Sequence, residues 1–346
     1  MPPHLLPDPI RPRFLDTMNK PYPVIYDTDP GVDDAMALYF ALAHPDIELV
    51  GITTTFGNVT VEQAAANALY LCEIAGYDIP VTQGVGSPWV KPGEAPPDHI
   101  HGADGLGNLP HRTAPSRRLD PRPSAQFIVD MAREYPGQIT LVAVGPLGNL
   151  SAALLLEPQL PTLLREVIIM GGTVLEPGNV SPVAEANIWN DPHAADKVFC
   201  AGWKLSMVGL DVTHRVILPV AMLRRIAERQ RHPATDTLHH AVAFYADFYS
   251  GLYPHVASIH GCFAHDVLAF VYLVRPDLFV TEHGRVRVAT DGLAQGQTLL
   301  KRRAFVDYPQ AGWGPEVPVT DVCMEVNAAA CLELFENTLA ANWLSH

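Results

Sequence analysis

Basic residues are scarce in this chain. Lysine and arginine number 23 against 37 aspartates and glutamates, a formal net charge of -14. Binding nucleic acid or an anionic membrane needs clustered Lys and Arg, so both are excluded as partners. Long apolar runs are missing too, although 48% of the residues are hydrophobic. No stretch reaches the roughly 20 residues of a membrane helix. Near the start, Leu5-Leu6 among prolines is too short for the apolar core of a signal peptide. Cysteines are few: Cys72, Cys200, Cys262, Cys323 and Cys331 are odd in number and unrelated in spacing. They resemble neither a disulfide framework nor a zinc site, and a reducing cytoplasm is the expected compartment. The glycine-rich run His101-Gly-Ala-Asp-Gly-Leu-Gly has no strand before it and no Gly-Lys-Ser/Thr after it, so it is not a phosphate loop.

Aspartate, by contrast, is concentrated. Residues 24–36 read Val-Ile-Tyr-Asp-Thr-Asp-Pro-Gly-Val-Asp-Asp-Ala-Met, with Asp27, Asp29, Asp33 and Asp34 inside eight positions. Val24, Ile25 and Tyr26 read as the end of a buried strand. Pro30 and Gly31 break it, and Asp33-Asp34 open an amphipathic helix ending near Leu42. Asp27 and Asp29 lie two apart and can share a face at the strand end. The N–H groups of a helix N-terminus favour carboxylates at Asp33 and Asp34. Four acids this close repel, which raises their pKa unless a cation or hydrogen-bond donors neutralise them. A hard divalent metal with oxygen ligands is the simplest neutraliser. It would acidify a bound water whose proton a neighbouring carboxylate could take. A helix cap with spare surface acids explains one or two aspartates, not four.

Residues 1–23 hold seven prolines and no apolar periodicity. An extended, poorly ordered arm is therefore expected over 1–21, with a single domain over 22–346. From Val24 on, strand-like segments (Leu49 to Thr54, Ile139 to Val144, Val167 to Met170, Leu205 to Leu210) alternate with helical ones (Val61 to Ala75, Leu150 to Leu156). The fold class is α/β: a mainly parallel central sheet with helices on both faces. In such sheets ligands bind at the carboxyl ends of the strands. Asp27, Asp29, Asn58, Gly145, Gly171-Gly172 and Asp211 all fall at such ends and can meet in one crevice. Two longer inserts interrupt the alternation and read as loops. Residues 84–123 are rich in Gly and Pro, and 229–265 in histidine and aromatics, including Tyr245, Tyr249 and Tyr253.

Residues 176–191 concentrate Glu176, Asn179, Glu185, Asn187, Asn190 and Asp191. Carboxamides and carboxylates suit a polyhydroxylated ligand, because each sugar hydroxyl both donates and accepts; a polar surface loop is the plainer alternative. His265-Asp266 offers a second metal ligand but reads more simply as a cap on the helix-like Val267 to Val274. Of the 15 histidines, His101 and His265 are the two singled out as functional.

Taken together these segments resemble the inosine–uridine preferring nucleoside hydrolases, over about residues 22–340. The carriers are Asp27-Thr-Asp29-Pro-Gly-Val-Asp33-Asp34-Ala, Thr53-Thr-Thr-Phe-Gly-Asn58, Val144-Gly-Pro-Leu-Gly-Asn149, Met170-Gly-Gly, Asn179 to Asn187 with Asp191-Pro192, Leu210-Asp211-Val-Thr213 and His265-Asp266, in the family's order. The resemblance implies a Rossmann-like fold and one Ca²⁺ per chain, held by Asp29, Asp34, Asp266 and the backbone carbonyl of Val144. It implies Asp29 as general base on the calcium-bound water. Asp33, Asn58, Asn179, Glu185 and Asn187 would bind ribose, and Asp27 would support them. His265 and His101 would stand on the leaving-group side. The implied reaction is hydrolysis of a ribonucleoside to ribose and base through an oxocarbenium-like transition state, in a homodimer or homotetramer serving nucleoside salvage. Three positions depart from the family pattern: Ala186 where relatives carry an aromatic, His193 where an acid is common, and Val267 in place of a proline.

Two rivals use the same aspartates differently. A haloacid dehalogenase-type phosphatase would take Asp27 as nucleophile with Mg²⁺, but leaves Asp33-Asp34 and the Asn179 to Asn187 segment without a role. A non-catalytic ribose- or calcium-binding protein would keep the fold, yet Asp29, Asp34 and Asp266 are all intact.

Overall fold

A computed structural model of the protein describes residues 21–302, 308 and 312–344. Apart from Pro21, the expected N-terminal arm lies outside these residues. Among these residues eleven strands are formed: β1 Tyr22–Thr28, β2 Ile47–Thr54, β3 Val81–Gln83, β4 Thr140–Ala143, β5 Glu166–Met170, β6 Leu205–Val208, β7 Ile217–Pro219, β8 Gly261–Phe263, β9 Phe279–Val288, β10 Thr298–Lys301 and β11 Thr320–Val326. Nine of them make one sheet in the order β10-β9-β11-β6-β5-β4-β1-β2-β3, and β7 pairs with β8 separately. Pairing is parallel from β11 through to β3, and antiparallel where β9 joins β11 and β10. The run β3-β2-β1-β4-β5-β6 is the order of a doubly wound nucleotide-binding sheet, with its topological switch between β1 and β4.

The central strands are apolar on both faces because both are covered. Val24 and Tyr26 enter one core cluster and Ile25 the other; Val142 and Ile168 enter the first, Leu141, Val167 and Ile169 the second. The first cluster packs the Val32–Ala43, Val61–Ala75, Val267–Val274 and Ala328–Ala340 helices against the sheet. The second packs Ser124–Glu134, Gly148–Leu156 and Pro192–Phe199. The Val61–Ala75 helix has the limits its periodicity predicts: the Thr60 hydroxyl accepts from Gln63 N, and Gly76 closes it with φ +82°.

The second insert is not a loop. Pro233–Leu252 is a 20-residue helix whose buried face carries Leu238, Ala241, Val242, Tyr245 and Tyr249. These positions recur every three to four residues, so its apolar stripe is helical once the aromatics are counted as core. The first insert is a loop with one helical turn, Asp98–His101. Among the described residues no helix is long and apolar enough to cross a membrane.

Contact between layers is tight at Gly51 on β2, where an added Cβ would lie 2.3 Å from the Phe127 ring. Gly51→Ala should therefore destabilise the protein by about 1–3 kcal/mol. Urea unfolding should show a lower midpoint at unchanged slope; an unchanged midpoint would mean that the interlayer contact is soft.

Candidate active site

The switch between β1 and β4 opens a crevice, and β1 delivers the aspartates to it. Asp34 ties the strand–turn–helix junction together: Gly31 N donates to Oδ2 at 2.9 Å, Asp29 N to Oδ1 at 3.2 Å, and the Thr28 hydroxyl also to Oδ1. Asn58, delivered by β2, donates from Nδ2 to Asp34 Oδ2 at 2.9 Å and from its backbone N to Asp29 Oδ2 at 2.7 Å. Asp29 fits only because two neighbours lack side chains. A Cβ on Gly57 would sit 2.0 Å from its Oδ2, and one on Gly145 2.6 Å from its Oδ1. Asp27 lies behind, accepting from Thr53 Oγ1 at 2.6 Å and Asn149 Nδ2 at 2.8 Å.

This is a group of negative charges without positive ones. Burial, then Asp34, holds the Asp29 carboxyl well above its ordinary range. The same two causes push Asp33 up to about 8, and burial alone pushes Asp27 to about 7. Asp266 is raised well above its usual value by burial and by Asp33, Asp34 and Asp29. It occupies the N-cap of the Val267–Val274 helix but caps nothing, with φ −73° and ψ −32°. The expected capping role is thereby replaced by a carboxylate free of backbone donors. Among the described residues the one ion-pair geometry to these four acids is His101 Nδ1–Asp33 Oδ1, at 3.9 Å.

The donor set fits a hard cation. Carboxylate oxygens of Asp33, Asp34 and Asp266 lie within 4.8 Å of one another. Asp29 Oδ1 and Asp33 Oδ1 are buried with no hydrogen-bond partner. Oxygen donors, excess negative charge and orphaned lone pairs are what Ca²⁺ or Mg²⁺ satisfies. The tightest trio contains Asp33 in place of Asp29.

A cavity of about 360 Å³ spans the crevice and is lined by Asp33, Asn58, His101, Val144, Asn179, Glu185, Asn187, His265 and Asp266. Asp27, Asp29 and Asp34 lie behind this lining, each at most 1% exposed. On the polar side, Glu185 caps the Ala186–Asn190 helix, accepting from Asn187 N, Ile188 N and Gly172 N, and burial raises it to about 7. Asn187 Nδ2 donates to Val144 O at 2.6 Å and Met170 O at 3.2 Å. Asn179 Oδ1 accepts from Ala186 N at 3.0 Å. Asp211, at the end of β6, accepts from the backbone N–H groups of Val174, Leu175 and Glu176 and so fixes the start of this segment.

Another part of the lining is an aromatic, neutral wall. His101 Nδ1 accepts from Val32 N at 3.2 Å, and burial lowers its pKa to about 3. Burial holds His265 well below the usual histidine range. Its Nδ1 meets Thr213 Oγ1 at 2.8 Å and its Nε2 meets the Tyr249 hydroxyl at 3.1 Å, with Tyr245 a further 3.2 Å on. Tyr245 and Tyr249 line the cavity, a role sequence reasoning does not give them; their i, i+4 spacing is the available signal. Asn149 likewise stands in the sequence only as part of a motif, and it holds Asp27, Thr54 O and Val85 N together.

The chain matches the family model described as inosine-uridine preferring nucleoside hydrolase over residues 24–333. It is 38% identical to uridine nucleosidase 1 of Arabidopsis thaliana over 307 residues, covering 87% of this chain and 89% of that one. It is 37% identical to the inosine-uridine preferring nucleoside hydrolase of Leishmania major, covering 84% and 90%. Among solved structures, a plant nucleoside hydrolase superposes with a TM-score of 0.87 at 36% identity, covering 93% and 100%. A purine-preferring ribonucleoside hydrolase from Gardnerella vaginalis does so at 0.84 and 31%, covering 92% and 98%.

The electrostatics give a pH signature. A carboxyl whose folded pKa is raised binds more protons in the folded state, so its stabilisation is present below the unfolded pKa and is lost as pH rises through the folded one. The lowered His101 and His265 act in the opposite sense, but only until the unfolded imidazoles finish losing protons at about pH 7.5. Asp27 and Glu185 (about 7), Asp33 (about 8), and Asp29 and Asp266, raised well above the usual range, outweigh them and set the slope. After chelation, the melting temperature should fall between pH 6.5 and 8.5, and excess divalent cation should raise it and flatten the fall. Identical melting profiles with and without cation would show that these acids are balanced some other way.

Proposed function

The chain belongs to the inosine–uridine preferring nucleoside hydrolase family, and on that footing we propose that it hydrolyses the N-glycosidic bond of ribonucleosides, purine or pyrimidine, to ribose and free base. The observation that carries this reading is the lining of one cavity: carboxylates and carboxamides share it with a neutral wall of His101, His265, Tyr245 and Tyr249. Such a cavity matches a sugar that becomes cationic and a base that leaves.

We assign one Ca²⁺ per chain to Asp29, Asp34, Asp266 and the Val144 carbonyl, with Asp33 beside them; when bound, it would acidify a water and hold ribose hydroxyls. Asp29 takes the proton of the attacking water at the unpartnered Oδ1. The water oxygen bonds to the anomeric carbon as the C–N bond breaks, and that bond's electron pair leaves with the base. The carboxylates stabilise the positive charge that develops on the ribose. Asn187, its Nδ2 committed to two carbonyls, offers Oδ1 as acceptor. Asn179, its Oδ1 committed to Ala186 N, offers Nδ2 as donor. A hydroxyl that both donates and accepts is suited to that pair. Asn58 and Glu185 complete the ribose contacts, and His101 and His265 stand on the leaving-group side.

The phosphatase alternative fails on Asp27. Its Oδ2 is tied to Thr53 and Asn149 behind the carboxylates that face the site, a supporting place and not a nucleophile's, and the chain matches the nucleoside hydrolase model over residues 24–333. We place the enzyme in the cytoplasm as a homodimer or homotetramer in nucleoside salvage, a compartment supported by five free cysteines.

A panel of purine and pyrimidine ribonucleosides, read by release of base and reducing sugar, tests the activity and its base preference together. Asp29→Ala should lower kcat by about 10²–10⁴ while the protein stays folded. Undiminished turnover by that variant would remove Asp29 as the base, and phosphate release from a sugar phosphate without base release from any nucleoside would remove the function.

A further inference from the structure

Along the aromatic wall runs a line of buried groups, Thr213 Oγ1, His265, the Tyr249 hydroxyl and the Tyr245 hydroxyl, that ends at the cavity. Each hydroxyl carries one proton and a neutral imidazole carries one, so the line can be ordered in only two directions. Its ends decide which. At one end Tyr245 lines the cavity, where water or a substrate can accept its proton. At the other end Thr213 is 0% exposed, and among the described residues its hydroxyl has no hydrogen-bond partner but His265 Nδ1. Were Nδ1 to carry the proton, the Thr213 proton would be left without an acceptor in a dry interior, at the desolvation cost of an unmade bond. With Thr213 donating, only lone pairs are idle.

Resting on the ribonucleoside hydrolase reading, we propose that Thr213 is a positioning residue for the leaving-group side. Its hydroxyl donates to His265 Nδ1, fixes His265 as the Nε2–H tautomer, and orders every downstream donor toward the cavity. His265 then donates to Tyr249, Tyr249 to Tyr245, and Tyr245 into the cavity. The donors that face the departing base are polarised in series, because each O–H or N–H is strengthened by the one behind it. Thr213 touches neither substrate nor reacting atoms. It lies on the Leu210–Thr213 turn after β6, 52 positions from His265 in sequence.

Thr213→Val keeps the shape and removes the donor; Thr213→Ser keeps the donor. Two substrates separate positioning from general damage: inosine or uridine, whose base leaves poorly without a donor, and 4-nitrophenyl β-D-ribofuranoside, whose phenolate needs none. In Thr213→Val the ratio of nucleoside to nitrophenyl riboside kcat should fall about ten- to a hundred-fold, with KM for the nucleoside little changed. Thr213→Ser should restore it. Nitrogen-15 NMR of the wild-type imidazoles, with His265 assigned by loss of its signals in His265→Gln, should show the Nε2–H tautomer. An Nδ1–H tautomer in the wild type overturns the proposal even if Thr213→Val does not fold. So does an unchanged substrate ratio, whether both activities persist or both fall together. If the wild type cleaves neither substrate, the ribonucleoside reading fails by itself, and the tautomer still decides the direction of the line.

Discussion

Asp29, Asp33, Asp34 and Asp266 are buried against one another, and no lysine or arginine among the described residues pairs with them. A single ionised carboxylate moved into a dry interior is strongly unfavourable, and four together are worse by their mutual repulsion. The local structure is arranged around that constraint. Thr28, Asn58 and the Gly31 N–H converge on Asp34; Thr53 and Asn149 satisfy half of Asp27; Gly57 and Gly145 give up side chains so that Asp29 fits. These donors reduce the repulsion without cancelling it, and the remaining oxygens are left for a cation. The fold tolerates the cluster because it lies at the switch point of the sheet, where β1 and β4 diverge and no crossover covers their ends.

The aromatic wall answers the same constraint with the opposite means. Burial keeps His101 and His265 neutral, His101 even with Asp33 Oδ1 3.9 Å from its Nδ1, so they add no positive charge beside a sugar that itself becomes cationic. A protonated imidazole there would oppose the charge that the carboxylates favour. Neutral donors, the N–H and O–H groups of histidine and tyrosine, can still assist a departing base. The cavity is thus divided by charge: anionic toward the ribose, neutral and donating toward the base.

How much of this is legible in the sequence depends on the distance over which each feature is encoded. The aspartate cluster is local; strand, Pro30-Gly31 turn and helix lie within a dozen residues, and all four acids can be read there. The doubly wound sheet follows from alternating apolar segments. The Pro233–Leu252 helix escapes notice because histidines and tyrosines mask its stripe when they are read as polar. Asp266 reads first as a cap, but the backbone is already helical at that residue and the side chain cannot fold back onto the first turn. Asn149 with Asp27 and Thr213 with His265 are 122 and 52 positions apart. No periodicity reports such contacts; only the packed sheet does.

Asp33 stands where the two halves meet. It belongs to the carboxylate trio with Asp34 and Asp266, and its Oδ1 lies 3.9 Å from His101 Nδ1 on the neutral side. That nitrogen accepts from Val32 N, so it has no proton to offer Asp33. The neutral side therefore leaves the charge of Asp33 to be balanced by a cation or by a sugar hydroxyl. A carboxamide in its place could accept from a hydroxyl, but it could not hold that charge.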